Sequence, residues 1–204
     1  MEIKEDTYHH KNLKNELIEA GIDFVAKEGA ESLSLRKIAA VCGVSHAALY
    51  THFENKDVFL EKMQNYITDN FSRELEKAIG NCETKEAILM DLGTAYLHFF
   101  VKHPNYFVFL FGKSNIALDL TEKAIPGKNY RPFEIFKSVV IQILTQTKYP
   151  KEKWNDAIIA LWAFVHGITA LATMENIKYD KKWEKKLGDF MQVFECSFLT
   201  GETK

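Results

Sequence analysis

The stretch Ser34–Leu60, SLRKIAAVCGVSHAALYTHFENKDVFL, decides the reading of this chain. Its first hydroxyl, on Ser34, is placed to cap a helix of about two turns that points Leu35, Ile38 and Ala39 inward. Cys42 and Gly43 end that helix, because glycine enters the left-handed conformation without a Cβ penalty. Ser45 then caps a helix over His46–Phe53, with Ala48, Leu49 and Phe53 inward. Asn55 caps a long helix over Lys56–Ile79 that carries Phe59, Leu60, Met63, Tyr66, Ile67 and Phe71 along one side, and Gly80 and Asn81 stop it. Upstream, Leu13, Leu17, Ala20, Gly21 and Phe24 recur at steps of three and four, so a helix is predicted over Asn12–Glu28. Two short helices joined by Cys42–Ser45, the first packed across and the second exposed, make a helix-turn-helix, which sets its second helix in a DNA major groove.

Charge bears on that reading through its placement. The whole chain has 26 Lys and Arg against 28 Asp and Glu, a net −2, and this alone gives no reason to expect a polyanionic partner. Residues 1–57 carry seven basic and ten acidic groups, for −3. From Ser32 to Phe53, however, there is no carboxylate, while Arg36, Lys37, His46 and His52 are present. A phosphate approaching this window meets no opposing charge, and the small number of cations implies a shallow salt dependence.

The string from Ser34 to Leu60 closely resembles the DNA-binding segment of the tetracycline-repressor (TetR) family. The match is most specific in Gly43-Val44-Ser45, Leu49-Tyr50, His52-Phe53 and Asn55-Lys56, and in organisation it spans residues 12–60. What the resemblance implies agrees with the chemistry of the side chains. Ala47 is small enough to let its helix approach base edges or a thymine methyl, and His46 and Thr51 are polar groups able to read sequence. Tyr50, His52 and Ser45 would bond phosphates. Lys56 stands in the first turn of a helix, where its ammonium and the free amides form an anion site. Arg36 matches a position that in relatives reaches the groove or its backbone. Phe53 reads as packing rather than contact.

The rest of the chain reads as helical too, so the predicted fold is all-α. It divides into a three-helix helix-turn-helix DNA-binding domain over 1–55 and a helical effector-binding and dimerisation domain over 56–204. The 204 residues, 47% hydrophobic and 26% charged, suffice for a sizeable core. Prolines occur only at 104, 126, 132 and 150. Helices are predicted over Thr84–His103, Pro132–Thr147, Lys151–Asn176 and Lys181–Leu199. Tyr106–Phe111 has strand propensity, but with no partner strand in view it is read as a short buried helix. Gly112–Arg131 reads as a long loop.

Trp162-x-x-x-His166-Gly167 looks like the Trp-x3-His-Gly signature of one class of TetR-family C-terminal domains. Trp162 and His166 are four apart on one helix face, and Gly167 permits close approach of another backbone. Of 26 aromatic residues 19 lie after residue 80. Tyr96, Phe99, Phe107, Phe111, Phe136, Trp162 and His166 are the candidate lining for an apolar or aromatic effector, against the plainer reading that each is ordinary core. In the family this domain binds small-molecule effectors, and its last two helices pair with their copies. Trp154, Ile158, Leu161, Val165, Phe190, Phe194 and Phe198 are the candidates for that surface.

The expected function is therefore a homodimeric transcriptional regulator, a repressor on a palindromic operator in double-stranded DNA, released by a small effector. A soluble carrier for an apolar ligand with a vestigial helix-turn-helix is the alternative, and the −3 of residues 1–57 is its support. No paired carboxylates, Gly-rich phosphate loop or positioned nucleophile argue for an enzyme. His98 and His103 share no face well, so no metal or other cofactor is expected. Cys42, Cys82 and Cys196 match no zinc or redox spacing, and MEIKEDTYHH does not read as a secretory signal, so the cytoplasm is the expected compartment. The 18 uncharged residues Ala157–Met174 reach the lower length limit for a membrane span, but a subunit interface explains a helix apolar on all sides more economically.

Overall fold

The computed structural model describes residues 3–82, 87–114, 116–125 and 127–198, and places side chains from residue 13 to residue 192 within them. Among these residues the regular structure is all helical. The elements are α1 (Ile3–Glu28), α2 (Leu35–Val41), α3 (His46–Tyr50), α4 (Lys56–Asn81), α5 (Ile88–Lys102), α6 (Pro104–Gly112), α7 (Arg131–Leu144), α8 (Trp154–Thr173) and α9 (Trp183–Phe198), with a 3-10 turn at Lys151–Lys153 before α8. Packing groups the chain into two compact units, Met1–Asp69 with Asn105–Ile116, and Asn70–Pro104 with Ala117–Lys204.

The first unit is built on α1, which buries Leu17, Ile18, Ile22 and Val25. Gly21 is what lets α1 and α4 close on each other, because a Cβ there would fall 2.6 Å from Met63 Sδ and from Phe59 Cζ. Against this pair sit Leu35, Ile38 and Ala39 of α2, Leu49 of α3 and Phe53 after it, all buried. α6 joins the same unit through polar contacts. Asn105 donates to Asp23 Oδ1 at 2.7 Å, and Glu19 Oε1 accepts from Tyr66 at 2.7 Å and also from Tyr106. Burial, reinforced by the bond to Glu19, pushes the Tyr106 phenol far above its ordinary range, so it stays a donor.

The second unit has an aromatic interior. Phe71 of α4 stacks on Phe99, ring centres 5.1 Å apart, and meets Tyr96 edge-on at 4.9 Å. Trp162 of α8 packs edge-on against Tyr96 at 5.2 Å and against Phe133 and Phe136 of α7 at 5.3 Å. An Arg131–Glu76 ion pair at 2.9 Å ties the first turn of α7 to α4.

Several boundaries differ from the sequence expectation, each for a local reason. α1 begins at Ile3 rather than Asn12, in a stretch whose charged and polar residues show no apolar period. α3 ends at Tyr50 rather than Phe53, because the Leu49 carbonyl accepts from both His52 (3.0 Å) and Phe53 (3.1 Å) and tightens the last turn. α8 stops at Thr173 instead of Asn176, and Lys151–Lys153 form a 3-10 turn. Thr84, Leu199 and Pro126, which the expected elements included, lie outside the described residues. Ile158 and Val165, expected on a dimer surface, are instead buried within their own chain, as is most of the inward face Ala157, Trp162 and Thr169. α8 is apolar all round, so periodicity gave no means of telling its inner face from its outer one.

Candidate nucleic-acid interface and effector core

The helix-turn-helix is set by four local devices. Ser34 Oγ accepts from the Lys37 amide at 3.2 Å and starts α2. At its far end the Gly43 amide bonds Ala40 O (3.2 Å) and the Val44 amide bonds Ala39 O (3.0 Å), a Schellman closure that needs the positive φ of 67° at Gly43. Ser45 Oγ accepts from the Ala48 amide at 3.1 Å, and Asn55 Oδ1 accepts from the Val58 amide at 2.9 Å. Leu49 then anchors α3, so the other side of that helix is left to solvent.

On that solvent side stand His46, Ala47, Tyr50 and Thr51, all exposed, with Ser45 before them. Tyr50 is 47% exposed, too much for a residue whose task is to pack α3 on α1, and its ring rests edge-on against His46 at 4.7 Å. Phe53, by contrast, is buried with its ring 4.5 Å from Phe59. The Ser45 oxygen is spent on its cap, but its O–H remains able to donate. His52 is half-buried, and Arg36 is exposed in the first turn of α2. Lys56 Nζ is held by Glu31 O at 3.3 Å. With the Val58 amide taken by Asn55, the Lys56 and Asp57 amides remain at the start of α4, beside the exposed Asp57 carboxylate.

Sequence reading counted Lys37 among the cations of the carboxylate-free window without assigning it a contact; its ammonium lies 5.4 Å from the Phe24 ring centre and 3.1 Å from Ser32 O. The acid-free window was the signal available for it. The Glu19–Tyr66–Tyr106 and Asp23–Asn105 contacts join residues 47 to 87 positions apart, and no local pattern announces them.

Of the candidate effector residues, Tyr96, Phe99, Phe136, Trp162 and His166 fall in the second unit. Phe107 and Phe111 fall in the first, their rings 5.0 Å apart. The Tyr96 hydroxyl and His166 Nδ1 are 2.9 Å apart. Burial lowers the His166 pKa from its ordinary 6.5, so the ring is neutral at pH 7 and shares one hydrogen with the Tyr96 hydroxyl. The unfolded chain therefore takes up this proton at higher pH than the folded one. Stability falls as pH drops through 6.5, and His166→Gln flattens that slope. Urea unfolding of both proteins between pH 7.5 and pH 5 measures it, and equal slopes contradict the assignment.

Beside this core lies a shallow apolar depression, open on one side and lined by Leu89, Gly93, Phe136, Leu161, Leu187 and Met191, among others. On the outer side of α8, Ala160, Ala163, Gly167 and Leu171 are exposed. A Cβ on Gly167 would meet nothing within 4 Å. The apolar stretch of Lys151–Thr173 is long enough to cross a membrane by length and composition, and its most apolar window is only 28% buried by its own chain.

Residues 17–63 match the family model described as bacterial regulatory proteins, tetR family, and residues 89–185 match a tetracyclin repressor-like C-terminal domain. An uncharacterized HTH-type transcriptional regulator of Bacillus subtilis, YerO, is 28% identical over 116 residues, 55% of this chain and 37% of that protein. The chain thus spans little more than a third of that relative's length. The nucleoid occlusion factor SlmA of Klebsiella pneumoniae is 22% identical over 185 residues, covering 85% of this chain and 92% of that one. Among solved structures, FadR of Bacillus subtilis in complex with stearoyl-CoA is similar with a TM-score of 0.68 at 15% identity, covering 87% of this chain and 95% of that one, a likeness of fold. With both family models matched in order over more than half its length, and with its helix-turn-helix formed, the chain belongs to the tetR family of bacterial regulatory proteins and is a DNA-binding transcriptional regulator.

Proposed function

We propose that this regulator is a cytoplasmic repressor that binds a palindromic operator as a homodimer and releases it when a small effector enters the second unit. The observation that carries the DNA half of this reading is the exposed, acid-free side of α3, with His46, Ala47, Tyr50 and Thr51 outward and Leu49 anchoring the helix from behind. His46, Ala47 and Thr51 meet base edges. Arg36, Ser45, Tyr50, His52 and Lys56 hold phosphates.

Dimerisation through the last two helices is supported by the outer side of α8, where small residues leave room for a second helix and the described residues leave most of the apolar surface uncovered. Gly167 sits in the helix interior, where it costs about 0.5–1 kcal/mol relative to alanine, and close approach by another subunit would offset that cost. A two-fold dimer sets its recognition helices about 34–36 Å apart for successive major grooves. An effector that prefers a conformer with a different spacing lowers operator affinity by its difference in affinity for the two, so a few kcal/mol suffices.

Tyr50→Ala and Lys56→Ala weaken binding to all duplexes alike, and Lys56→Ala lowers the salt slope by about 1, the share of a single phosphate. His46→Ala instead relaxes preference at one base pair, where about 1–3 kcal/mol of discrimination is at stake. Fluorescence anisotropy with promoter-proximal DNA at several salt concentrations reads all three. Unchanged titrations for the three variants overturn the assignment, and no retention of any duplex by the wild type favours the carrier.

A further inference from the structure

We infer that Lys37 is a further phosphate ligand of the DNA face, positioned by the ring of Phe24, and that it shares with Lys56 a two-lysine grip on the DNA backbone. The inference rests on the reading of the first unit as the DNA-binding unit and extends it to a residue outside the recognition helix.

The grip is built from a turn. The Leu33 amide bonds Ala30 O at 3.2 Å, closing a β-turn with Glu31 and Ser32 as its central residues, and the buried Leu33 side chain fixes that turn to the core of the unit. The carbonyls of the two central residues take no part in closing such a turn and need other donors. Each finds a lysine. Ser32 O accepts from Lys37 Nζ at 3.1 Å, and Glu31 O accepts from Lys56 Nζ at 3.3 Å. Consecutive carbonyl oxygens lie within about 5 Å of each other, so the two ammoniums, one from α2 and one from the first turn of α4, stand no more than about 11 Å apart.

Charge and order both suit a phosphate partner. Carbonyls hold the two ammoniums, so neither positive charge is cancelled by its contact. The carboxylates nearest them in the chain, Glu31, Glu54 and Asp57, are exposed, where water and salt screen them. An ordinary surface lysine sweeps many rotamers and loses them on binding. Lys37 has given them up in the free protein, with its ammonium 5.4 Å from the centre of the half-buried Phe24 ring and one of its three N–H bonds taken by Ser32 O. Nothing among the described residues takes the other two, which are donors for phosphate oxygens. A phosphate carries no base identity, so this contact adds affinity for every duplex and leaves the choice of sequence to α3.

Fluorescence anisotropy of the full chain tests this with two labelled duplexes, one selected by the wild type from a randomised pool and one of scrambled sequence, at several salt concentrations. Lys37→Gln is expected to weaken both by about tenfold at low salt and to lower the salt slope by about 0.9 for each subunit bound, while Lys37→Arg keeps the slope. Phe24→Leu keeps the apolar contact and the slope but loses about threefold in affinity. It loses nothing further in a Lys37→Gln background, a coupling that a purely structural role for the ring does not produce. A slope and affinity unchanged by Lys37→Gln overturn the inference, as does a loss confined to the selected duplex, which would make Lys37 a reader of bases. If Lys56→Gln lowers the slope and Lys37→Gln does not, the DNA reading stands and the assignment of Lys37 alone falls; a wild type that enriches no duplex overturns both.

Discussion

Phe53→Ala is expected to destabilise the protein by about 3–5 kcal/mol and to abolish operator binding. The ring is 1% exposed and packs 4.5 Å from that of Phe59, which is itself fully buried against the backbone of Gly21. Phe59 cannot slide into the space that truncation would leave without pulling away from α1, and the segment from α3 to α4 is deprived of its only deep anchor after Leu49. Measured against total stabilities of about 5–15 kcal/mol, a loss of this size empties much of the folded population at 37 °C. Urea unfolding followed by circular dichroism gives the stability, and a gel shift at 10 °C separates a failure to fold from a failure to touch DNA. A cost below about 1 kcal/mol would mean that Phe53 is not the keystone its burial suggests.

Gly167→Arg should leave the monomer folded and reduce operator affinity by about 10²–10⁴-fold, the factor that linkage of two half-sites adds. The two halves of this expectation come from one observation. A Cβ at 167 meets none of the described residues within 4 Å, so the helix can carry a side chain there pointing to solvent. A second copy packed closely on that face cannot accommodate it, because two arginines brought together near a two-fold axis clash and repel. Sedimentation equilibrium should show monomers, with an unchanged melting temperature at low protein concentration. A dimer of wild-type affinity would place the interface elsewhere.

How much of this was legible in the sequence depended on how local the cause was. The helix-turn-helix was readable residue by residue, since Ser34, Gly43, Ser45 and Asn55 each act on neighbours within three positions and each does so in the structure. Tyr106–Phe111 carried strand propensity yet forms α6, because Pro104 favours a helical first turn and the apolar run is buried on several sides. Ile158 and Val165 were placed on the wrong side of α8 because an all-apolar helix has no polar stripe to orient it.

The Thr51 hydroxyl donates to Ala48 O at 2.7 Å, and this decides what the side chain can say to a base pair. Its hydrogen is already committed, so only lone pairs face outward. Such a group greets the exocyclic amines of adenine or cytosine and is deaf to the carbonyls of guanine or thymine. In a randomised-duplex selection the step beneath Thr51 should enrich for adenine or cytosine on the contacted strand, and Thr51→Val should erase that bias. Enrichment of guanine there would mean that the hydroxyl rotates away from Ala48 on binding.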